Sequence, residues 1–184
     1  TFPEAGQYFD YEGRMVPAEY YNYVLREENL KKYTALVEES RKAVSIPVIA
    51  SINCFLQSVE WIAYAQQLEA VGADALELNM FFPPTDFRRS RVDREAVYFK
   101  ITESVTEKLG IPVALKISHY FTDLGPMIQR LSQTGIDGLV LFNRYFSPDI
   151  DVERMEIANS FVFSAPSDLA MSLRWIAIMA DRVD

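Results

Sequence analysis

Short apolar runs rich in β-branched residues alternate along the chain with segments of helical periodicity. Four runs predict strands that are buried on both faces, as in a parallel sheet: 46–52, 75–79, 111–118 and 138–143. Amphipathic segments between and around them predict helices: 29–44, 58–71, 94–109, 122–135 and 167–182. The strands begin roughly 30 residues apart, which is the length of a βα unit.

Two near-copies stand at the same helix-to-strand position. They read Gly-Ala-Asp-Ala-Leu at 72–76 and Gly-Ile-Asp-Gly-Leu at 135–139. Such a repeat favours an α/β fold of the TIM-type (β/α)8 barrel class over a doubly wound sheet. No GxGxxG follows any predicted strand, which argues against a dinucleotide-binding fold. A whole barrel typically needs about 250 residues. We therefore expect residues 1–184 to be a single domain covering about four to five βα units of one.

Composition narrows the function. The net charge of −8 argues against a nucleic-acid partner. No apolar run approaches the ~20 residues that span a bilayer, so no membrane partner is expected. A single cysteine, Cys54, excludes an intrachain disulfide and fits a cytoplasmic protein. With one histidine as well, we expect no metal site.

Polar residues stand where the predicted strands end: Asn53, Asn79, Lys116 and Asn143. In a (β/α)8 barrel these ends form the active site. An asparagine offers both a donor and an acceptor to a heteroaromatic ring, although each one alone also suits a turn. Lys116 lies inside an apolar run, where a charge is costly unless it is paired or faces a ligand. A positive charge there suits the N1 and O2 side of a flavin.

Other polar residues have two interpretations each. His119 follows the third strand and is either a base or a neutral hydrogen-bonding residue. Cys54 is either reactive or a small buried apolar residue. The arginines of 88–94 either bind an anion or form a solvated loop. Asp149 and Asp151 are expected to organise a turn or to cap the segment that follows.

The segments Ile-Pro-Val-Ala-Leu-Lys-Ile-Ser at 111–118 and Gly-Ile-Asp-Gly-Leu-Val-Leu-Phe-Asn at 135–143 resemble the dihydroorotate dehydrogenases. The Leu-Glu-Leu-Asn of 76–79, with a proline at 83, is similar to the family's strand that leads into its catalytic loop. The resemblance covers about 19–184 and implies an FMN-dependent (β/α)8 barrel. It implies cofactor contacts from Asn53, Asn79, Lys116 and Phe142. It also implies contacts from Asn79, Asn143 and Arg144 to a dihydropyrimidine carboxylate.

The chain departs from this family at the catalytic loop. The family has a Cys or Ser as base after the asparagine, whereas this chain reads Met80-Phe81-Phe82, and a phenyl ring accepts no proton. The nearest replacements by sequence are His119, Tyr120 and Tyr145. The family's early lysine and its Gly-rich phosphate-binding strands fall outside the chain.

Three functions follow as hypotheses. The first is an FMN oxidoreductase of pyrimidine biosynthesis that oxidises dihydroorotate or a related dihydropyrimidine, as a possible homodimer. The second is a non-catalytic or diverged flavin- or ligand-binding barrel domain in a larger assembly, with the apolar loop 81–87 as a contact patch. The third is an aldolase-like barrel in which Lys116 forms a Schiff base.

Overall fold

The structure is a computed structural model that describes residues 8–9, 15–16, 18–53, 58–82, 88, 90–143, 148–159 and 164–183. Its helices are α1 (Ala18–Ala43), α2 (Ser58–Ala70), α3 (Arg91–Thr106), α4 (Leu124–Ser132) and α5 (Leu169–Met179), the last preceded by a 3-10 turn at Pro166–Asp168. Its strands are β1 (Tyr8–Phe9), β2 (Met15–Val16), β3 (Ile49–Ile52), β4 (Ala75–Asn79), β5 (Val113–Ile117), β6 (Gly138–Leu141), β7 (Pro148–Asp151) and β8 (Glu156–Asn159).

Strands β3, β4, β5 and β6 form one parallel sheet in the order of the sequence. A helix connects each of these strands to the next. A sheet whose parallel strands follow one another in sequence order, each with a crossover helix, is the arrangement of a (β/α)8 barrel. The prediction of a partial barrel is therefore confirmed for the described part of the chain.

The two faces of this sheet differ. On the covered face, alternate residues such as Leu76, Leu78 and Leu115 are fully buried. We call the other side the open face; it carries Ser51, Glu77, Asn79, Ala114 and Lys116, all only partly buried or exposed. The prediction of burial on both faces is thus wrong here, because the described helices pack against one side only.

The helices bury an apolar stripe against the covered face. Trp61 and Leu68 of α2, Val105 of α3 and Ile128 and Leu131 of α4 have no exposed surface. Helix α4 has the strongest separation of apolar from polar positions among these helices, which its short length requires if it is to pack on the sheet. This packing holds the strands in place, so that their carboxyl ends meet along one edge.

The repeated Gly-x-Asp sequence has the same structural role in both copies. Gly72 and Gly135 have positive φ angles, +91° and +79°, which end each helix in a conformation that glycine adopts without strain. The carboxylate of Asp74 then accepts the backbone N–H of Val48 at 2.8 Å, while its own N–H donates to the Val48 carbonyl at 2.9 Å. Asp137 makes the same pair of bonds to Val113, each at 2.8 Å. In each repeat the aspartate therefore links the start of one strand to the start of the strand before it through two hydrogen bonds.

Several element boundaries differ from the prediction. Helix α3 begins at Arg91 instead of 94, because Ser90 and Asp93 form a reciprocal capping box that fixes its start. Helix α1 extends further towards the N-terminus than the predicted 29–44. Two antiparallel pairs, β1–β2 and β7–β8, are additions to the predicted elements. Asp151 does organise a turn, since its carboxylate accepts the N–H groups of Glu153 and Arg154 at 3.0 Å.

Candidate functional site

The asparagines that follow β4 and β6 meet at the carboxyl edge of the sheet. Asn143 donates its amide N–H to the amide oxygen of Asn79 at 2.5 Å, although 64 residues separate them. The backbone N–H of Asn143 also donates to the Ile117 carbonyl at 2.7 Å, which fixes the chain just after β6. No second partner from the described residues meets the Asn79 amide nitrogen or the Asn143 amide oxygen. The pair therefore presents one donor group and one acceptor side by side.

Lys116 lies on the open face beside an acidic partner. Its Nζ is 3.5 Å from Oε1 of Glu77, and the two side chains are 28% and 17% exposed. The same Glu77 oxygen accepts the Ser51 hydroxyl at 2.7 Å. Lys116 stands opposite Asn79 in the β4–β5 register, so the cation and the asparagine pair occupy neighbouring strands. The Lys116 charge is thus stabilised by the Glu77 carboxylate, and its place on the open face keeps it out of the apolar core.

The two remaining cofactor residues implied by the resemblance lie in different surroundings. Asn53 follows β3 directly and is exposed, one position beyond the residue that pairs with Leu78 of β4. Phe142 is half-buried, and it packs against the apolar core. Their roles towards a cofactor stay predictions.

His119 and Tyr120 follow β5 at the same edge. The His119 ring lies 4.5 Å from the Tyr120 ring and 5.8 Å from the Phe142 ring, measured between centroids. His119 is half-buried, whereas Tyr120 is 53% exposed. Since Phe142 precedes Asn143, the histidine lies next to the segment that carries the asparagine pair. A catalytic role for either ring stays a prediction.

Phe82, which the resemblance assigns to the position of a catalytic base, contacts helix α3. Its backbone N–H donates to the Tyr98 hydroxyl at 3.3 Å, and the two rings meet edge to face with centroids 5.2 Å apart. Tyr98 is only 3% exposed. Burial raises the pKa of the Tyr98 phenol to about 12, against a smaller lowering by the Phe82 N–H. This aromatic contact gives Phe82 a packing role.

A cleft of about 410 Å³ opens at the rim between α3 and the segment after β5. Phe82, Tyr98 and His119 line it together with Arg91 and Arg94. Arg91 is already paired, with its guanidinium 2.5 Å from Asp123 and 3.7 Å from Glu95. The charge of that arginine is therefore compensated within the chain.

Some predicted residues lie outside the described part of the chain: Cys54, Arg89, Arg144 and Tyr145. Among the residues that the structure describes, no group of three or more His, Cys, Asp or Glu side chains is arranged to hold a metal ion. None of the described helices is long and apolar enough to cross a membrane.

Ser51, Glu77 and Tyr98 were not singled out from the sequence. Glu77 is two positions before Asn79, so strand alternation alone places both on one face. Strand alternation could therefore have identified Glu77, whereas the partners of Ser51 and Tyr98 depend on tertiary contacts.

The fold and the site define a class: a parallel βα sheet of the barrel type, with a lysine and an asparagine pair at its carboxyl edge. This set offers a cation, one amide donor group and one amide acceptor, which suits the polar edges of a heterocyclic ligand.

Comparison with curated proteins finds dihydroorotate dehydrogenases. The chain is 27% identical over 136 residues to dihydroorotate dehydrogenase A (fumarate) of Limosilactobacillus reuteri, covering 71% of this chain and 44% of that protein. It is 25% identical over 114 residues to the catalytic subunit of dihydroorotate dehydrogenase B (NAD(+)) of Enterococcus faecalis, covering 61% and 36%. The chain thus spans less than half the length of these relatives. The matches support a distant relationship to this family, and no family model matches the chain.

Solved structures that align with part of this chain include dihydrodipicolinate synthases. That of Agrobacterium tumefaciens has a TM-score of 0.47 at 20% identity and covers 60% of this chain and 36% of its own. That of Oceanobacillus iheyensis has a TM-score of 0.48 at 15% identity, covering 62% and 36%.

Proposed function

We propose that the chain is part of an FMN-dependent oxidoreductase that oxidises dihydroorotate or a related dihydropyrimidine carboxylate. The observation that carries this proposal is the position of Lys116 on the open face, opposite Asn79 and beside the Asn79–Asn143 pair. The names of the curated relatives support the same reaction class.

The residues present fit a flavin. Lys116 supplies a cation, which stabilises the negative charge that a reduced flavin gathers along its pyrimidine edge. Asn79, opposite Lys116 in the register, and Asn53, directly after β3, supply amides that match the alternating donors and acceptors of that edge. FMN, when bound, supplies the ring that accepts the hydride.

The asparagine pair fits the substrate side. A dihydropyrimidine presents alternating N–H and C=O groups, and the Asn79 amide nitrogen and Asn143 amide oxygen complement one of each. Because the two side chains are bonded to each other, neither needs to be ordered when the ring binds. The pair therefore orients the substrate with little loss of side-chain entropy.

The proton that leaves the substrate needs an acceptor other than Phe82. His119 is the stronger candidate of the two described rings, because an imidazole nitrogen accepts a proton and the ring adjoins Phe142. Replacing His119 by alanine is expected to lower the rate of flavin reduction by about 100-fold or more. Tyr120→Phe is the matched change for comparison with His119→Ala, because it alters the neighbouring ring. An unchanged reduction rate in both variants contradicts this role.

The test is an absorption spectrum of the protein in its full length. We expect flavin bands, and we expect anaerobic dihydroorotate to bleach them. Lys116→Ala should lose FMN, whereas Lys108→Ala, the same change at an exposed position on the far side of the sheet, should keep it. A colourless protein that FMN does not reconstitute contradicts the proposal.

A second candidate function is a flavin-binding domain without turnover. The contact of Phe82 with Tyr98 favours it, because the position of the family's base serves packing here. The same titration separates the two: flavin that is bound but that no dihydropyrimidine reduces indicates the second function.

A further inference from the structure

A continuous set of contacts crosses the sheet from helix α1 to Lys116. The Tyr33 hydroxyl donates to the Ser51 carbonyl at 2.9 Å and accepts the Ser51 N–H at 2.8 Å. The Ser51 hydroxyl donates to Glu77 at 2.7 Å, and the same Glu77 oxygen lies 3.5 Å from the Lys116 ammonium. Tyr33 therefore holds the Ser51 backbone, the Ser51 side chain contacts Glu77, and Glu77 contacts Lys116.

The strand register explains why these groups meet. Ser51 pairs with Glu77 directly across β3 and β4, so their side chains are neighbours on the open face. Lys116 pairs with Asn79, one step further along, and its ammonium reaches back to Glu77. A lysine has four rotatable bonds, and without a fixed partner its ammonium would sample many positions.

We propose that Glu77, oriented by Ser51, is the positioning residue that fixes the Lys116 ammonium for the flavin. This inference rests on the proposed function. It assigns Glu77 no contact with the cofactor; its effect passes through Lys116.

The direction in which FMN affinity changes when Glu77 is removed distinguishes a positioning role of Glu77 from a purely electrostatic effect of its charge. FMN is anionic, so the charge of Glu77 by itself opposes binding, and its removal would tighten FMN binding. If Glu77 positions Lys116, its removal weakens binding, because the ammonium must then be ordered when FMN binds. The two accounts predict opposite changes in the dissociation constant.

The experiment titrates the full-length apoprotein with FMN and follows the quenching of flavin fluorescence. We expect Glu77→Ala to weaken binding by about fivefold and Ser51→Ala by about twofold. Ser51→Thr keeps the hydroxyl and should recover wild-type affinity. In a Lys116→Met background, titrated at FMN concentrations high enough to load this weaker variant, Glu77→Ala should not weaken binding further, because the residue it positions is gone. Glu107→Ala, at an exposed site at the end of α3, controls for the loss of one negative charge.

The outcomes are distinct. Wild-type protein that binds no FMN overturns the proposed function and this inference with it. Wild-type protein that binds FMN, with Glu77→Ala binding equally or more tightly, overturns the inference alone. Equal weakening in the presence and absence of Lys116 also overturns it, because a general structural defect acts in both backgrounds. If Glu77→Ala does not fold, the Ser51→Ala and Ser51→Thr pair decides.

Discussion

Replacing Tyr98 by phenylalanine tests whether the segment after β4 is anchored by a buried phenol. The change removes the oxygen that accepts the Phe82 N–H at 3.3 Å and leaves that donor without its partner. The ring itself, 3% exposed, keeps its packing. At pH 8 the variant should therefore unfold with a free energy lower by about 1–2 kcal/mol.

The pH dependence of that difference is the sharper test. Burial raises the pKa of Tyr98 from 10.0 to about 12. The neutral phenol is thus favoured in the folded state, and the stability this provides is full below pH 10 and is lost as the pH rises towards 12. By pH 11 wild type should have lost about 1.4 kcal/mol through this group. Phenylalanine does not titrate, so the gap between wild type and variant should nearly close.

The assay is urea unfolding followed by circular dichroism at pH 8, 9, 10 and 11. Tyr120→Phe is the matched control, because it removes the same hydroxyl from a side chain that is 53% exposed. Ionisation of the remaining tyrosines affects wild type and both variants alike and cancels in the differences. A gap between wild type and Tyr98→Phe that stays constant from pH 8 to pH 11 would refute the reasoning.

The other predictions concern the asparagine pair, the hydrogen bonds of Asp137 to the start of β5, and two glycines. On the proposed function, Asn143→Ala should weaken the binding of orotate, the product of dihydroorotate oxidation, to the full-length protein at least about tenfold in a calorimetric titration. The change should lower the free energy of unfolding by less than about 1 kcal/mol, and equal losses in binding and unfolding free energy would contradict a ligand role. Asp137→Ala should cost about 1.5–3 kcal/mol in urea unfolding, and Asp137→Asn, which keeps an acceptor, should recover part of it. Gly72→Ala should lower the free energy of unfolding by about 1–2 kcal/mol, because the φ of Gly72 is +91°. Gly125→Ala is the control and should be neutral or stabilising, because Gly125 lies inside α4 and its nearest neighbour atom is 3.7 Å away. Similar effects of the two changes would contradict the conformational argument.

Sequence pattern predicts the parallel sheet well, because each strand is a continuous apolar run followed by a polar residue. It places β4 at its exact bounds and identifies the Gly-x-Asp repeat, whose two copies make the same bonds. The hairpin β7–β8 escapes prediction because Pro-Asp-Ile-Asp shows little apolar alternation. The start of α3 is missed because the Ser90–Asp93 box lies within an arginine-rich segment.

The sequence identifies the residues of the site better than it identifies the contacts between them. Strand ends indicate Asn79, Lys116 and Asn143, but only the register shows that Lys116 stands opposite Asn79 and next to Glu77. Strand alternation fixes which residues share a face, but it leaves open a shift of the pairing by two residues, so the sequence alone does not show which residue stands opposite Lys116. The Tyr98–Phe82 contact is likewise a tertiary event between a helix and a strand end.

The Tyr33 hydroxyl has a consequence for aggregation. It occupies both the N–H and the C=O of Ser51, the backbone groups that β3 turns away from β4. No strand from the described residues pairs with β3 on that side. An unpaired strand edge is a template for any extended chain, and Ile49, 61% exposed, makes this edge apolar. Tyr33 on α1 thus occupies the backbone groups at the centre of this edge, so an added strand could pair with Ser51 only by displacing the tyrosine.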